Sequence, residues 1–267
     1  MYVEKQIRKA GIFMALMDEF KEERDSIKNG TFKQKFSYFW CYYKWHVICS
    51  VLAVVIVVSY IHAVVTRKDI AFYAVMLNGF ELASAEDYSN EVSEFFELDT
   101  KEYTTMFDTS MLIDYTTHDQ RTMASAQKLM VYMTTGDIDV VVSDTASMQH
   151  YSYTDSFADI RDVLTPEQVE KYQSRFYYID KKVIDAKNSE DPDDAKYMFA
   201  YPEDPKDPST MIDPIPVGIY VDDQADFTEN FIFERNDLVL TVAATSQRYD
   251  MVREYIDYVF SDDVAAE

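Results

Sequence analysis

Residues 46–66 read HVICSVLAVVIVVSYIHAVVT, a stretch with no Asp, Glu, Lys or Arg. As a helix it is about 30 Å long, close to the hydrocarbon thickness of a bilayer. Val51–Val58 is apolar on every side, whereas a core helix of this length would show a polar face. The segment therefore predicts a single transmembrane helix. Phe36, Tyr38, Phe39, Trp40, Tyr42, Tyr43 and Trp45 crowd its N-terminal flank. Amphipathic rings of this kind favour the headgroup zone. Lys33, Lys35 and Lys44 lie on the same flank, and only Arg67 and Lys68 follow the span. The positive-inside bias then puts the N-terminus in the cytoplasm and the C-terminus outside the cell. A cleavable signal peptide has a short basic start, a shorter apolar run and a small-x-small cleavage site. An uncleaved signal anchor in the cell membrane fits this pattern better.

The span divides the chain into residues 1–45, 46–66 and 67–267. The first part carries nine Lys/Arg and six Asp/Glu; the last carries 16 basic and 42 acidic residues, a net charge of −26. Such an acidic domain repels nucleic acid and anionic surfaces. In residues 1–30, Val3, Ile7, Ala10, Met14 and Met17 recur on one helical face, and the resulting amphipathic helix suits a membrane surface, a partner or its own chain. Both cysteines, Cys41 and Cys49, fall beside or inside the apolar segment, so the acidic domain has no disulfide, thiolate metal site or cysteine nucleophile.

The acidic domain alternates strand and helix signals. Ile70–Leu77 reads as a buried strand closed by Asn78-Gly79, and Ser84–Leu98 as a helix with Tyr88, Val92, Phe95 and Phe96 on one face. Glu102–Leu112 is a second strand. A helix from Thr117 to Thr135 would bury Met123, Ala126, Met130 and Met133 and end at Gly136. Ile138–Ser143 is rich in β-branched residues, as in a strand buried on both faces. Thr165-Pro166-Glu167-Gln168 is a capping box. Tyr197–Tyr201, Pro216–Val221 and Leu238–Ala243 read as strands. Ser246 would cap a last helix that faces Met251, Val252, Tyr255, Ile256 and Val259 inward. The expected fold is α/β, in three layers, with a mostly parallel sheet flanked by helices.

Residues 187–214 hold five of the seven prolines and many acids. The spacing matches no EF-hand, and a solvated loop is the expectation. His118 and His150 stand in no metal-ligand spacing, and no G-x-S-x-G elbow or S-x-x-K dyad occurs. Neither catalysis, a metal nor a cofactor is expected.

The segment Lys128–Leu164 resembles the first lobe of type II periplasmic solute-binding proteins, which feed ABC importers. A helix ends at Gly136, the strand Asp137–Asp144 follows, and Phe157-Ala158-Asp159-Ile160-Arg161-Asp162-Val163-Leu164 leads to the next helix. The closing strand and helix at Leu238–Phe260 is similar to that family's C-terminal end. The resemblance implies one lobe with a reduced second lobe, because only about 50 residues separate Leu164 from Pro216. The layout also resembles anchored hypothetical proteins of gut Firmicutes. Ligands of open α/β sheets bind beyond the carboxyl ends of the strands. That rule selects Asn78, Asp144, Thr145 and Tyr220, with Tyr151 and Tyr153 as stacking partners. The expected function is a membrane-anchored binding module for a small solute or peptide, alongside a transporter or envelope protein. The alternative is an envelope scaffold without a small ligand.

Overall fold

The protein is described by a computed structural model that covers residues 30–117, 119–222, 224 and 229–261. The amphipathic segment read over residues 1–30 lies outside them apart from Gly30, as does His118. The chain forms two compact units, divided between Arg67 and Lys68.

The first unit contains helix α1 (Phe32–Val65). At its start the Thr31 amide donates to Gln34 Oε1 at 2.9 Å; at its end Thr66 Oγ1 donates to the His62 carbonyl at 2.7 Å. The 34 residues make a helix about 51 Å long. Within it Tyr43–Val65 is long and apolar enough to cross a membrane, and none of that window is buried in protein. It is the one such helix among the described residues. The aromatic flank before the span continues the same helix. Phe36 stacks on Trp40 at 6.2 Å and Phe39 on Tyr43 at 5.3 Å, each pair one turn apart.

The second unit is built on a six-stranded sheet in the order β3-β1-β4-β8-β6-β5. The strands are β1 (Asp69–Met76), β3 (Tyr103–Asp108), β4 (Val140–Asp144), β5 (Phe176–Asp180), β6 (Pro214–Tyr220) and β8 (Leu238–Val242). A separate two-stranded ribbon pairs β2 (Phe80–Glu81) with β7 (Phe231–Ile232). β3, β1 and β4 are parallel neighbours. β8 runs against both β4 and β6, and β5 runs against β6. Four of the six strands thus share one direction. The mostly parallel sheet of the sequence reading holds in that sense, but three of the five neighbouring pairs are antiparallel.

The helices cover both faces. α2 (Ala85–Phe95), α5 (Ile160–Val163), α6 (Pro166–Tyr172) and α8 (Tyr249–Val259) pack on one; α3 (Gln120–Thr135), α4 (Thr145–Ser152) and α7 (Lys181–Asn188) pack on the other. The period-two rule of a strand makes the division. Phe72, Ala74 and Met76 of β1 enter the first core, while Tyr73, Val75 and the following Leu77 enter the second. β4 is buried throughout, as its valines require. Each fully buried Val there contributes roughly 1.5–3 kcal/mol.

Local signals explain most element ends. Ser84, Asp119 and Asp144 cap α2, α3 and α4, and Thr165 opens α6 with its capping box. Gly136 ends α3 at φ 75°, where an L side chain would be strained. Four expectations are corrected. Asp119, not Thr117, caps α3. Met123 and Met130 are exposed, and the buried face instead carries Leu129 and Met133, with Ala126 half-buried. Tyr197–Tyr201 is no strand, because Pro192–Tyr197 forms a 3-10 turn that Asp191 caps. The strand of that region is β5, and it lacks polar alternation because both its faces are covered. Finally, Ser246 does not cap α8: its hydroxyl donates to Asp139 Oδ1 at 2.6 Å.

Both sheet edges are covered. The Ser89 hydroxyl of α2 donates to the Thr105 carbonyl at 2.6 Å, and the Thr105 amide donates to Ser93 Oγ at 3.3 Å. On β5 the Tyr178 amide donates to the Pro205 carbonyl at 2.8 Å. An uncovered edge would be a template for pairing with another chain.

Candidate functional site

The parallel strands β1, β4 and β6 end on one side of the sheet, and the antiparallel β8 and β5 begin there. A cleft of about 490 Å³ opens on this side, lined by Ser174, Arg175, Lys206, Tyr220, Asp222, Asn236 and Asp237. Tyr220 closes β6, Arg175 precedes β5, and Asn236-Asp237 precede β8. The cleft therefore lies at the same end of the sheet as the carboxyl ends of the parallel β1 and β4, but beside the antiparallel strands β5, β6 and β8. Lys206 reaches in from the acidic loop, with its Nζ 4.1 Å from the centre of the Tyr220 ring and 3.8 Å from Asp222 Oδ2. Arg235 grips Asp237 with two donors at 3.0 and 3.1 Å. Arg175 lies over the Phe260 ring at 5.3 Å.

Electrostatics shape this wall. Burial pushes the Tyr220 hydroxyl up from its ordinary value, and Tyr177 and the carboxylates Asp204, Asp237 and Asp222 add to the shift. Tyr220 thus stays a neutral hydrogen-bonding group with an apolar ring. Burial pushes the Asp237 carboxyl up, but the bonds from Arg235 and Thr145 outweigh it and hold Asp237 below the ordinary carboxylate range. The wall offers fixed negative charge beside two cations and an aromatic face. Such a set suits a polar ligand that carries both signs.

The six residues selected from the sequence fall into three groups. Tyr220 is in the cleft wall. Thr145 adjoins it through Asp237, which accepts from the Thr145 hydroxyl by its side chain and from the Thr145 amide by its backbone. Asn78 and Asp144 meet one layer deeper. Ser147 Oγ donates to Asp144 Oδ2 at 2.9 Å and accepts from Asn78 Nδ2 at 3.0 Å. Asn78, at φ 60°, also accepts the Ile113 amide at 2.7 Å and donates to the Ile113 carbonyl at 3.1 Å. Asp144 caps α4 through the Ser147 amide at 3.0 Å. Tyr151 and Tyr153 belong to the second core, where Tyr151 packs edge-on to Tyr115 and Tyr153 packs on Tyr201 and under Lys187.

Ser174, Arg175, Lys206, Asp222, Asn236 and Asp237 escaped the sequence reading. The one local signal was Arg235-Asn236-Asp237, a charged turn just before an apolar strand. Lys206 lies 14 and 16 residues before Tyr220 and Asp222, which it meets in the cleft wall, and gave none.

Two other hollows are less suited. A groove of about 520 Å³ lies between α6 and α8, but its polar groups satisfy one another: Gln168 Nε2 donates to Asp257 at 2.9 Å and Arg253 to the Val163 carbonyl at 2.8 Å. A hollow of about 370 Å³ includes Asp180, whose carboxylate already accepts three backbone amides, of Lys182, Ile212 and Asp213. In the acidic loop, Asp191, Asp204 and Asp207 each accept an amide two residues on. Among the described residues no group of three or more His, Cys, Asp or Glu is placed to hold a metal ion. Comparison with protein-family models, with curated proteins and with solved structures finds no match to this chain.

Proposed function

We propose that the protein is a membrane-anchored binding module, whose globular unit takes a small polar solute or short peptide in the cleft around Tyr220. One observation carries this reading. Where β6 ends and β5 and β8 begin, Arg175, Lys206, Asp222 and Asp237 line one cleft of about 490 Å³ with Tyr220, and Lys206 lies over the Tyr220 ring beside Asp222. The family resemblance supports a kinship with the solute receptors of ABC importers. The segment that would form a second lobe instead adds β5 to the sheet and brings Lys206 to the cleft wall. The ligand would then rest on one lobe and stay open to a neighbouring membrane protein. Lys33, Lys35 and Lys44 before the span favour a topology with residues 1–45 in the cytoplasm and the globular unit outside the cell. In this reading the span is an uncleaved signal anchor.

The test is a thermal-shift screen of the protein against amino acids, short peptides and sugars. A ligand at about 100 times its Kd adds about 2.7 kcal/mol, which for a domain of some 200 residues raises Tm by roughly 5–10 °C. Lys206→Ala and Asp237→Asn should each weaken that shift. A screen in which no compound raises Tm would overturn the reading, as would a shift that both variants leave untouched.

A further inference from the structure

The ribbon of β2 and β7 carries apolar side chains on the face turned from the core. Phe80 pairs with Ile232, and Glu81 with Phe231. Phe231 packs edge-on to Tyr88 at 5.2 Å within the first core. Successive strand residues face opposite ways, so Phe80 and Ile232 share the outer face. Leu82 follows, its amide donating to the Asn230 carbonyl across the ribbon at 2.9 Å. Phe80 is 53% exposed, Leu82 58% and Ile232 50%. Clustered apolar exposure of this kind marks a binding surface.

Position and charge select what covers the ribbon. β2 follows the end of β1 and β7 leads into β8, so the ribbon and the cleft share one end of the sheet. Four residues of chain join Ile232 to Asn236 of the cleft wall, which puts them at most about 14 Å apart. Glu81, Glu229 and Glu234, in and beside the ribbon, are exposed. Residues 69–100 and 207–234 contain no Lys or Arg, and the next cation, Arg235, is bound to Asp237.

We infer that the cleft and the ribbon are one site, whose ligand is a short free peptide with basic and apolar side chains. The inference rests on the reading of the cleft as a binding site and narrows its ligand. A solute that fills the cleft alone leaves Phe80, Leu82 and Ile232 bare. An extended chain advances about 3.3 Å per residue, so a peptide of about five or six residues covers both. One charged terminus enters the cleft, whose wall offers both signs. The apolar side chains of the peptide take those of the ribbon out of water, and its lysines or arginines meet the glutamates.

The experiment exposes the full chain, held in phosphatidylcholine nanodiscs, to a mixture of random synthetic hexapeptides with free ends. Mass spectrometry then identifies those retained. They should be enriched in Lys or Arg together with aromatic or branched aliphatic residues. Their Kd should rise about tenfold or more in Phe80→Ser, in Ile232→Ser and in Glu234→Lys, while near-UV circular dichroism shows an intact fold. Capping both ends of the peptide should weaken it as much. If no peptide is retained while a small solute still raises Tm, the inference is overturned and the cleft reading stands. The same holds if retained peptides are not basic, if the three variants bind them as tightly as the unsubstituted chain, or if capped peptides bind as tightly as free ones. If neither peptides nor solutes bind, the inference and the cleft reading fall together.

Discussion

Asp139 is a buried carboxylate that ties three elements together. It is fully buried, accepts from the Tyr73 amide at 2.9 Å and from Ser246 at 2.6 Å, and pairs with Arg248 Nε at 2.9 Å. It joins the starts of β4 and α8 to the middle of β1. Removing one partner of a buried pair strands the other, which costs about 3–5 kcal/mol. Asp139→Ala should lower the urea midpoint accordingly, and Arg248→Ala by a comparable amount, because it leaves the fully buried Asp139 carboxylate without its cation. His150 stacks face to face on Tyr115 at 3.8 Å. Burial holds its pKa below the ordinary imidazole value, against the pull of Asp144. The unfolded chain therefore binds the proton first as pH falls. This contribution to stability is full above about pH 6.5 and declines as pH drops through that value. Urea midpoints between pH 8 and 5 should show that decline, and His150→Gln should reduce it. Residue roles were only partly legible in the sequence. Asp144 and Asn78 read as polar groups at strand ends, and they do meet there. Their partner is Ser147, which no spacing rule singles out, because the bond between them depends on where β1 and α4 meet.

Element ends were more legible than element faces. Gly136 was read as a helix stop, and the structure holds it left-handed, with its added Cβ only 2.8 Å from the Thr245 carbonyl oxygen. Gly136→Ala should cost about 1–2 kcal/mol from the backbone alone and more from the clash, measured as a drop in Tm with α3 still helical by circular dichroism. The faces of α3 are ambiguous in the sequence because three methionines and a leucine offer two overlapping apolar stripes, and hydropathy does not rank them. Tertiary packing chose the stripe with Leu129 and Met133. β5 was passed over for a related reason. Phe176–Asp180 follows a helix after a three-residue turn and shows no alternation, whereas the tyrosines at 197 and 201 imitate a strand pattern in a loop rich in proline.

At the scale of the molecule, the division between an apolar helix and an acidic α/β unit was legible to within a few residues, because twenty-one uncharged residues admit few other readings. The antiparallel half of the sheet was not, since strand direction depends on long-range pairing. Topology across the membrane is testable directly. Protease added to intact cells should degrade residues 67–267 and leave a fragment of residues 1–45 and the span, detected by an N-terminal tag. Protection of the globular unit would reverse the assignment.

The acidic excursion between β5 and β6 leaves and rejoins the sheet at one place, because Asp180 pairs with Pro214 and holds the Ile212 and Asp213 amides. Its two ends are thus tied together independently of what lies between Ser189 and Met211, and that interval delivers Lys206 to the cleft. Lengthening a closed loop costs only in proportion to the logarithm of its length. The interval can therefore vary in length and sequence at low cost except where Pro205 covers the β5 edge and Tyr201 packs on Tyr153, and those two points hold the segment that carries Lys206 to the cleft wall.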